Sequence, residues 1–193
     1  MDTYQRLFDK AIYDPTIKYR SKTWFDQQVL LLSKQISSPS KLVKDSASQN
    51  RSQIIPGNCY LYMYDPKHKD TLPYYDRFPL VFPFAKTPHG FRALNMHYLA
   101  YPIRIKLLDR LQQFRNNDKM DGNTKLRMSW ATLNGVSRFN LAKPCVKEYL
   151  MDHVRSPFVK INSKDWSMAM LLPVERFVGA NKTQVWQDSL GKI

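Results

Sequence analysis

Three short runs rich in aromatic and β-branched residues, at 59–64, 78–84 and 91–99, constrain the fold of this chain more than any other feature of its sequence. Turn-forming Asp, Pro, Lys and Gly residues separate them. Runs of this length and composition are typical of β-strands, so we expect three neighbouring strands. Pro79 and Pro83 lack the amide hydrogen that a ladder needs. The second strand is therefore expected at a sheet edge, or else interrupted.

Apolar residues at helical intervals predict helices on both sides of these strands. The helices are expected at 22–36, from Pro102 to Phe114, from about Thr124 to near Gly135, and from Pro144 through Val154. Strand-like composition returns at 158–161 and 166–172, and a short helix is expected over 174–178. The fold class that follows is α+β, with a small antiparallel β-sheet or partly closed barrel flanked by several short helices.

The length and hydrophobic content fit one folded body with an N-terminal extension. The chain has 193 residues, of which 43% are hydrophobic, and this is enough to build a core. Residues 37–57 are rich in Ser, Gln, Lys and turn formers and lack sustained periodicity. We therefore expect an N-terminal arm, a helix and a mobile Ser-rich loop over 1–56, followed by an α+β body over 57–193.

The charge of the chain indicates an anionic partner. Thirty Lys and Arg against sixteen Asp and Glu give a formal net charge of +14. The surplus is spread over the first three quarters of the chain, so we expect a folded body with a positive surface rather than a basic tail. Such a surplus repels itself unless an acidic group lies nearby, and nucleic acid is the commonest anionic partner.

The cysteines and the hydropathy pattern restrict the class of protein further. Cys59 and Cys145 are far apart and show no CxxC spacing, so buried free thiols are expected rather than a disulfide framework or a zinc site. No apolar run approaches the roughly 20 residues of a membrane helix, and the N-terminus has no signal-peptide core. We expect no membrane partner, and a reducing cell interior or a particle assembled there.

The motifs do not indicate a catalytic centre. The four histidines show no metal-ligand spacing, and the glycine motifs of nucleotide-binding proteins and hydrolases are absent. Asp65, Asp70 and Asp76 lie in one predicted loop and could hold Mg²⁺ for phosphodiester cleavage. Turn hydrogen bonds or ion pairs with adjacent basic residues explain the same carboxylates. We expect no enzyme activity, cofactor or metal. A nuclease is kept as an additional hypothesis.

One predicted turn interleaves basic and aromatic side chains. Its candidate residues for binding a partner or a nucleic acid are Lys67, His68, Lys69, Tyr74, Tyr75 and Arg77. Basic groups neutralise phosphates, while aromatic rings stack on bases or pack on a protein partner. A solvated charged turn over a tyrosine-rich core edge is the alternative interpretation.

Arg104 is a further candidate binding residue. In the helix predicted from Pro102 it falls among Ile103, Leu108 and Leu111, in the first turn, where the helix dipole disfavours a cation. A buried carboxylate, an acidic group of a partner or a phosphate would explain this position. A side chain that extends past the helix end to solvent would explain it as well.

Two strings are distinctive: Leu-Pro-Tyr-Tyr-Asp at 72–76 and Leu-Asn-Met-His-Tyr-Leu at 94–99. The segment 182–189, Lys-Thr-Gln-Val-Trp-Gln-Asp-Ser, has the same character. Over most of residues 57–189 the chain resembles small virion proteins of T-even-like contractile-tailed bacteriophages. The resemblance brings no catalytic residues with it.

The resemblance implies a protein of the virion, present in the host cytoplasm during assembly. We expect a non-enzymatic structural component of the tail or baseplate hub, in contact with other virion proteins within a symmetric multi-subunit assembly. The alternative is a basic DNA-binding protein that binds or protects the ends of the packaged phage genome, with double-stranded DNA as its partner. A duplex affinity that falls steeply with salt would support the alternative.

Overall fold

The computed structural model of the protein describes residues 54–163 and 177–191, together with Thr23, Trp166 and Glu175. Thr23 is helical, and the rest of the helix predicted over 22–36 lies outside the described residues. The predicted N-terminal arm and the Ser-rich loop up to residue 53 lie outside them too. The division of the chain at residue 57 therefore stays a prediction.

The core of the fold is a five-stranded antiparallel sheet with the strand order β5-β4-β3-β1-β6. Its strands are β1 (Cys59–Leu61), β3 (Leu80–Thr87), β4 (Gly90–Asn95), β5 (Val146–Leu150) and β6 (Val159–Ile161). A second, two-stranded antiparallel sheet pairs β2 (Tyr75–Asp76) with β7 (Phe177–Val178). The α+β class is confirmed, and the larger sheet is open, with β5 and β6 at its edges, rather than closed into a barrel.

The second of the three predicted strands lies inside the sheet, as β3 between β4 and β1. The sheet-edge expectation for it was wrong. The expected interruption is present, because the register with β4 shifts between Pro83 and Ala85. A bulge of this kind lets a sheet accommodate a residue without an amide donor.

Two helices form where the apolar spacing predicts them. They are α1 (Tyr101–Arg115) and α2 (Gly122–Val136). Pro102 lies in the first turn of α1, where a missing amide hydrogen costs nothing. The Asp121 side chain caps α2 by accepting a hydrogen bond from the Thr124 amide at 2.9 Å. Both helices are thus determined by local sequence.

The helix predicted from Pro144 through Val154 was wrong. Val146–Leu150 is strand β5, which pairs with β4 from Gly90 opposite Leu150 to Leu94 opposite Val146. Short 3₁₀ helices precede and follow it, at Asn140–Cys145 and Met151–His153. Residues four apart share a side both in a helix and in a strand, and the pairing with β4 decides between the two.

The C-terminal predictions also need correction. Phe177–Val178 is strand β7, not part of a helix over 174–178. Trp166 is helical rather than extended, and the rest of the strand predicted over 166–172 lies outside the described residues. Helix α3 (Lys182–Gly191), which buries Val185 fully in the core, was not among the predicted elements.

Each face of the large sheet carries its own layer of buried side chains. On one face Phe82 and Leu94 belong to a cluster that includes Leu108 and Leu111 of α1. The cluster on the other face is mainly aromatic, with Tyr60, Tyr62, Tyr64, Phe91 and Tyr149. Such ring clusters bury large apolar areas, so both faces of the sheet contribute to the core.

Candidate nucleic-acid interface

The segment 122–147 contains no acidic residue, and it spans α2 and the 3₁₀ helix Asn140–Cys145. Its basic residues are Lys125, Arg127, Arg138, Lys143 and Lys147. The first four form no ion pair with any described residue, whereas Lys147 lies over the Tyr98 ring at 4.2 Å. These four cations therefore contribute positive charge to the surface that no direct ion pair within the described residues offsets.

Helix α2 is fixed against the sheet by a narrow stripe. Ser129 and Leu133 are its fully buried residues, and the Trp130 indole donates a hydrogen bond to the Phe84 carbonyl of β3 at 2.7 Å. Gly57 approaches α2 so closely that a Cβ there would lie 3.1 Å from the Leu126 carbonyl oxygen. Because only this stripe is covered, Arg127 and much of the helix surface face solvent.

The same segment carries three of the six large hydrophobic side chains that are exposed among the described residues. These are Met128, Trp130 and Phe139. Phe139 is the most exposed of the six, at 65%. Surfaces that contact both phosphates and bases combine cations with exposed aromatic or apolar groups. We call the surface side chains of Lys125, Arg127, Arg138, Phe139 and Lys143 the basic face.

The turn predicted as a binding site is charge-balanced. Lys67, His68 and Lys69 are exposed in it, but the ammonium group of Lys69 lies 3.0 Å from a carboxylate oxygen of Asp65. The segment 65–77 contains three basic and three acidic residues, so it has no surplus charge. A turn without a net charge attracts phosphates weakly compared with the basic face.

The aromatic members of that turn pack inward. Tyr74 is half-buried, with ring contacts to Tyr98 at 6.3 Å and Phe177 at 6.4 Å. Tyr75 is a half-buried residue of β2, and the exposed Arg77 lies over the Phe78 ring at 5.8 Å. The six predicted residues thus lie in the loop before β2, in β2 itself and directly after it. Their role in binding stays a prediction, and the inward packing of the tyrosines fits the alternative of a charged turn over a tyrosine-rich core edge.

Arg104 lies in the protein interior and is fully buried. Its guanidinium donates hydrogen bonds to a Glu175 carboxylate oxygen at 3.0 Å and to the Leu99 carbonyl at 2.9 Å, and it lies 4.8 Å from the Tyr101 ring centroid. Of the explanations considered, the buried carboxylate is correct. Its assignment as a contact for an external partner stays a prediction, which the burial of the side chain does not favour.

The three aspartates of the nuclease hypothesis do not converge. Asp76 is buried and accepts hydrogen bonds from the Phe78 amide at 3.1 Å, Asn95 at 2.9 Å and His97 at 2.8 Å. Asp65 pairs with Lys69, and Asp70 is exposed. Within the described ranges no group of three His, Cys, Asp or Glu side chains could hold a metal ion. Asp76 therefore serves as a structural acceptor.

Both cysteines are free and buried, as predicted. Burial raises the pKa of the Cys145 thiol to about 12, and it raises the pKa of Cys59 well above its ordinary value. Neither thiol is activated as a nucleophile in such an environment. No helix in the described part of the chain has the length and apolar content needed to span a membrane.

Comparison with known proteins identifies the family. The family model described as phage T4 terminal DNA protecting protein matches residues 9–189. No curated protein and no solved structure matches the chain significantly. The family match covers most of the chain and confirms the resemblance to virion proteins of T-even-like phages. This chain belongs to the phage T4 terminal DNA protecting protein family.

Proposed function

We propose that this protein is a virion component that binds the ends of duplex DNA through the basic face, and that it acts by occupying those ends rather than by catalysis. The observation that carries the proposal is the acid-free segment 122–147, in which Lys125, Arg127, Arg138 and Lys143 form no ion pair with any described residue. The family description, a protein that protects terminal DNA, supports the choice of DNA ends as the ligand.

The dimensions of α2 fit a duplex. The 15 residues of α2 span about 22 Å, at 1.5 Å per residue. That length corresponds to roughly six base-pair steps at 3.4 Å per step, along which each strand presents a phosphate at every step. Arg127 on the exposed side of α2, and Arg138 and Lys143 beyond its C-terminal end, can each approach a phosphate. The counterions released by such contacts supply the affinity.

The family description favours the DNA-end alternative over a tail or baseplate hub. A tail position, contacts with other virion proteins, a symmetric multi-subunit assembly and a stage in the host cytoplasm stay predictions. No binding to duplex at about 0.1 M salt, together with stable complexes with purified tail proteins, would support the tail hypothesis instead.

The test is the salt dependence of binding to a blunt 20-base-pair duplex, measured by fluorescence anisotropy. If the four basic residues of the basic face each neutralise one phosphate, log Kd rises with log salt with a slope of about 3.6, from about 0.9 per contact. The triple variant Arg127→Gln, Arg138→Gln, Lys143→Gln removes three of these contacts, so its slope is expected to fall to about 0.9.

The matched control removes the same charge from the turn at 65–77, with Lys67→Gln, Lys69→Gln and Arg77→Gln. These positions, like Arg127, Arg138 and Lys143, are exposed, so both variants are expected to fold. The control should keep most of the slope. Equal losses in the two variants would show that binding follows total charge, and a loss in the control alone would identify the turn as the interface.

A further inference from the structure

We infer that Phe139 stacks on the terminal base pair and so makes the basic face selective for an open DNA end over continuous duplex. This inference rests on the proposed function and assigns a chemical ligand, the exposed face of the last base pair, to one residue. Phe139 recognises the DNA end, whereas the basic side chains contact the phosphates.

Phe139 is presented to solvent by a fixed backbone. Its amide donates to the Val136 carbonyl at 3.0 Å, and its own carbonyl accepts hydrogen bonds from the amides of Ala142 at 2.9 Å and Lys143 at 3.1 Å. Leu133 and Ala142, on either side of it in the chain, are buried in the core. The turn therefore holds the Phe139 backbone in place while 65% of the residue surface stays exposed.

An aromatic ring placed in this way faces water at a cost in free energy. Ring contacts fix many of the aromatic side chains in the described part of the chain, but none of those contacts involves Phe139. Its neighbours in the chain and along the 3₁₀ helix are the cations Arg138 and Lys143. A ligand that suits this group offers a flat apolar surface with negative charges at its margin.

The end of a DNA duplex has these properties. Inside a duplex the face of each base pair is covered by the next pair, and inserting a ring there requires two stacked pairs to separate. Only the last pair offers a free face, with the phosphates of both strands beside it. Phe139 lies just beyond the C-terminal end of α2, so a duplex that runs along the exposed side of α2, past Arg127, would end near this residue.

The experiment compares two 20-base-pair duplexes of the same sequence. One has blunt ends, and in the other each terminal pair is covered by a covalently attached, stacking stilbene cap. The wild-type protein should bind the blunt duplex more tightly. Phe139→Ala should weaken binding to the blunt duplex by about 5- to 150-fold, the range for losing one base–aromatic stack, and leave binding to the capped duplex unchanged.

Two variants control for the loss of the side chain itself. Phe139→Trp keeps a stacking surface and should retain the preference for the blunt duplex. Leu72→Ala removes another exposed hydrophobic side chain, 43% exposed, from the turn at 65–77 and should change neither affinity. A 2-aminopurine in the terminal pair reports stacking directly, since its fluorescence should change on binding to the wild type and much less on binding to Phe139→Ala.

The outcomes separate the two proposals. Absence of duplex binding would overturn the proposed function and this inference together. Binding with equal affinity for blunt and capped duplexes, or an equal loss for both in Phe139→Ala, would overturn the inference and leave the proposed function standing. A preference for the blunt duplex that Phe139→Ala abolishes and Phe139→Trp retains supports it.

Discussion

Substitution of Asp76 by Ala tests whether this carboxylate is a structural acceptor. Asp76 lies in β2, and its side chain joins three elements by accepting hydrogen bonds from the Phe78 amide, from Asn95 at the end of β4, and from His97 in the 3₁₀ helix Met96–Tyr98. The His97 carbonyl in turn accepts a hydrogen bond from Trp186 of α3 at 2.8 Å. The loss of this carboxylate should therefore weaken the contacts among β2, β4, the 3₁₀ helix and α3.

The size of the effect follows from the donors left behind. Asn95 keeps a second acceptor, because its side-chain amide also donates to the Tyr149 hydroxyl at 2.9 Å. The Phe78 amide and the His97 ring nitrogen would lose their acceptor in a buried site. An unsatisfied buried donor costs about 1–3 kcal/mol, so the free energy of unfolding should fall by roughly 2–6 kcal/mol. This is a large part of the ~5–15 kcal/mol of a typical domain.

Urea denaturation followed by tryptophan fluorescence measures the change, with Asp70→Ala as the control. Asp70 lies in the same segment but is exposed, so its loss should change the free energy of unfolding by no more than about 0.5 kcal/mol. Equal midpoints for the two variants would refute the structural role of Asp76. If Asp76→Asn kept the fold and abolished a metal-dependent DNA cleavage, the nuclease hypothesis would return.

Two further predictions concern the close packing of strands β4 and β5 and the titration of the buried cysteine thiols. A Cβ at Gly90 would overlap the Tyr149 carbonyl of the paired strand, so Gly90→Ala should lower the free energy of unfolding by about 1–3 kcal/mol or more. At Gly135 the space for a Cβ is open, so Gly135→Ala should raise the free energy of unfolding by about 0.5–1 kcal/mol. Similar free energies of unfolding for the two variants would contradict the packing argument. Burial raises the pKa values of Cys59 and Cys145 above the ordinary 9.0, so the unfolded chain releases these protons first. The contribution of the thiols to stability should therefore be constant below pH 9 and fall above it by up to about 1.4 kcal/mol per pH unit for each thiol. In urea titrations Cys145→Ala should lose stability less steeply than the wild type above pH 9.

The strands and the first two helices could be predicted because their signals are local. Apolar spacing and Pro102 are enough for α1, and the composition of the runs at 59–64 and 78–84 is enough for β1 and β3. β5 could not be assigned in this way. The spacing of Val146 and Leu150 fits one side of a helix or of a strand, and only the distant β4 resolves the choice.

The candidate site was predicted from residue types, and this is why the turn at 65–77 was chosen. Lys67, Tyr74 and Arg77 are of residue types that bind nucleic acids. The inward packing of Tyr74 and the ion pair of Lys69 with Asp65, however, are properties of the folded turn. The basic face had a signal in the sequence, the absence of any acid between Asp121 and Glu148. A surplus summed over three quarters of the chain does not show this gap between two acids.

The net charge of +14 gives the sign of the partner but not the place where it binds. Exposed pairs such as Lys69 with Asp65 and Arg92 with Glu148 cancel each other's field within about one Debye length of ~10 Å. Cations without such partners keep their field, so the location of acids, more than the number of bases, selects a binding face. Phosphate contacts at that face release counterions and weaken with salt, but they are alike at an end and in the middle of a duplex. Stacking by Phe139 releases no counterions, so it can add a preference for ends that does not weaken with salt. Affinity and selectivity for ends are therefore assigned to different side chains of one surface.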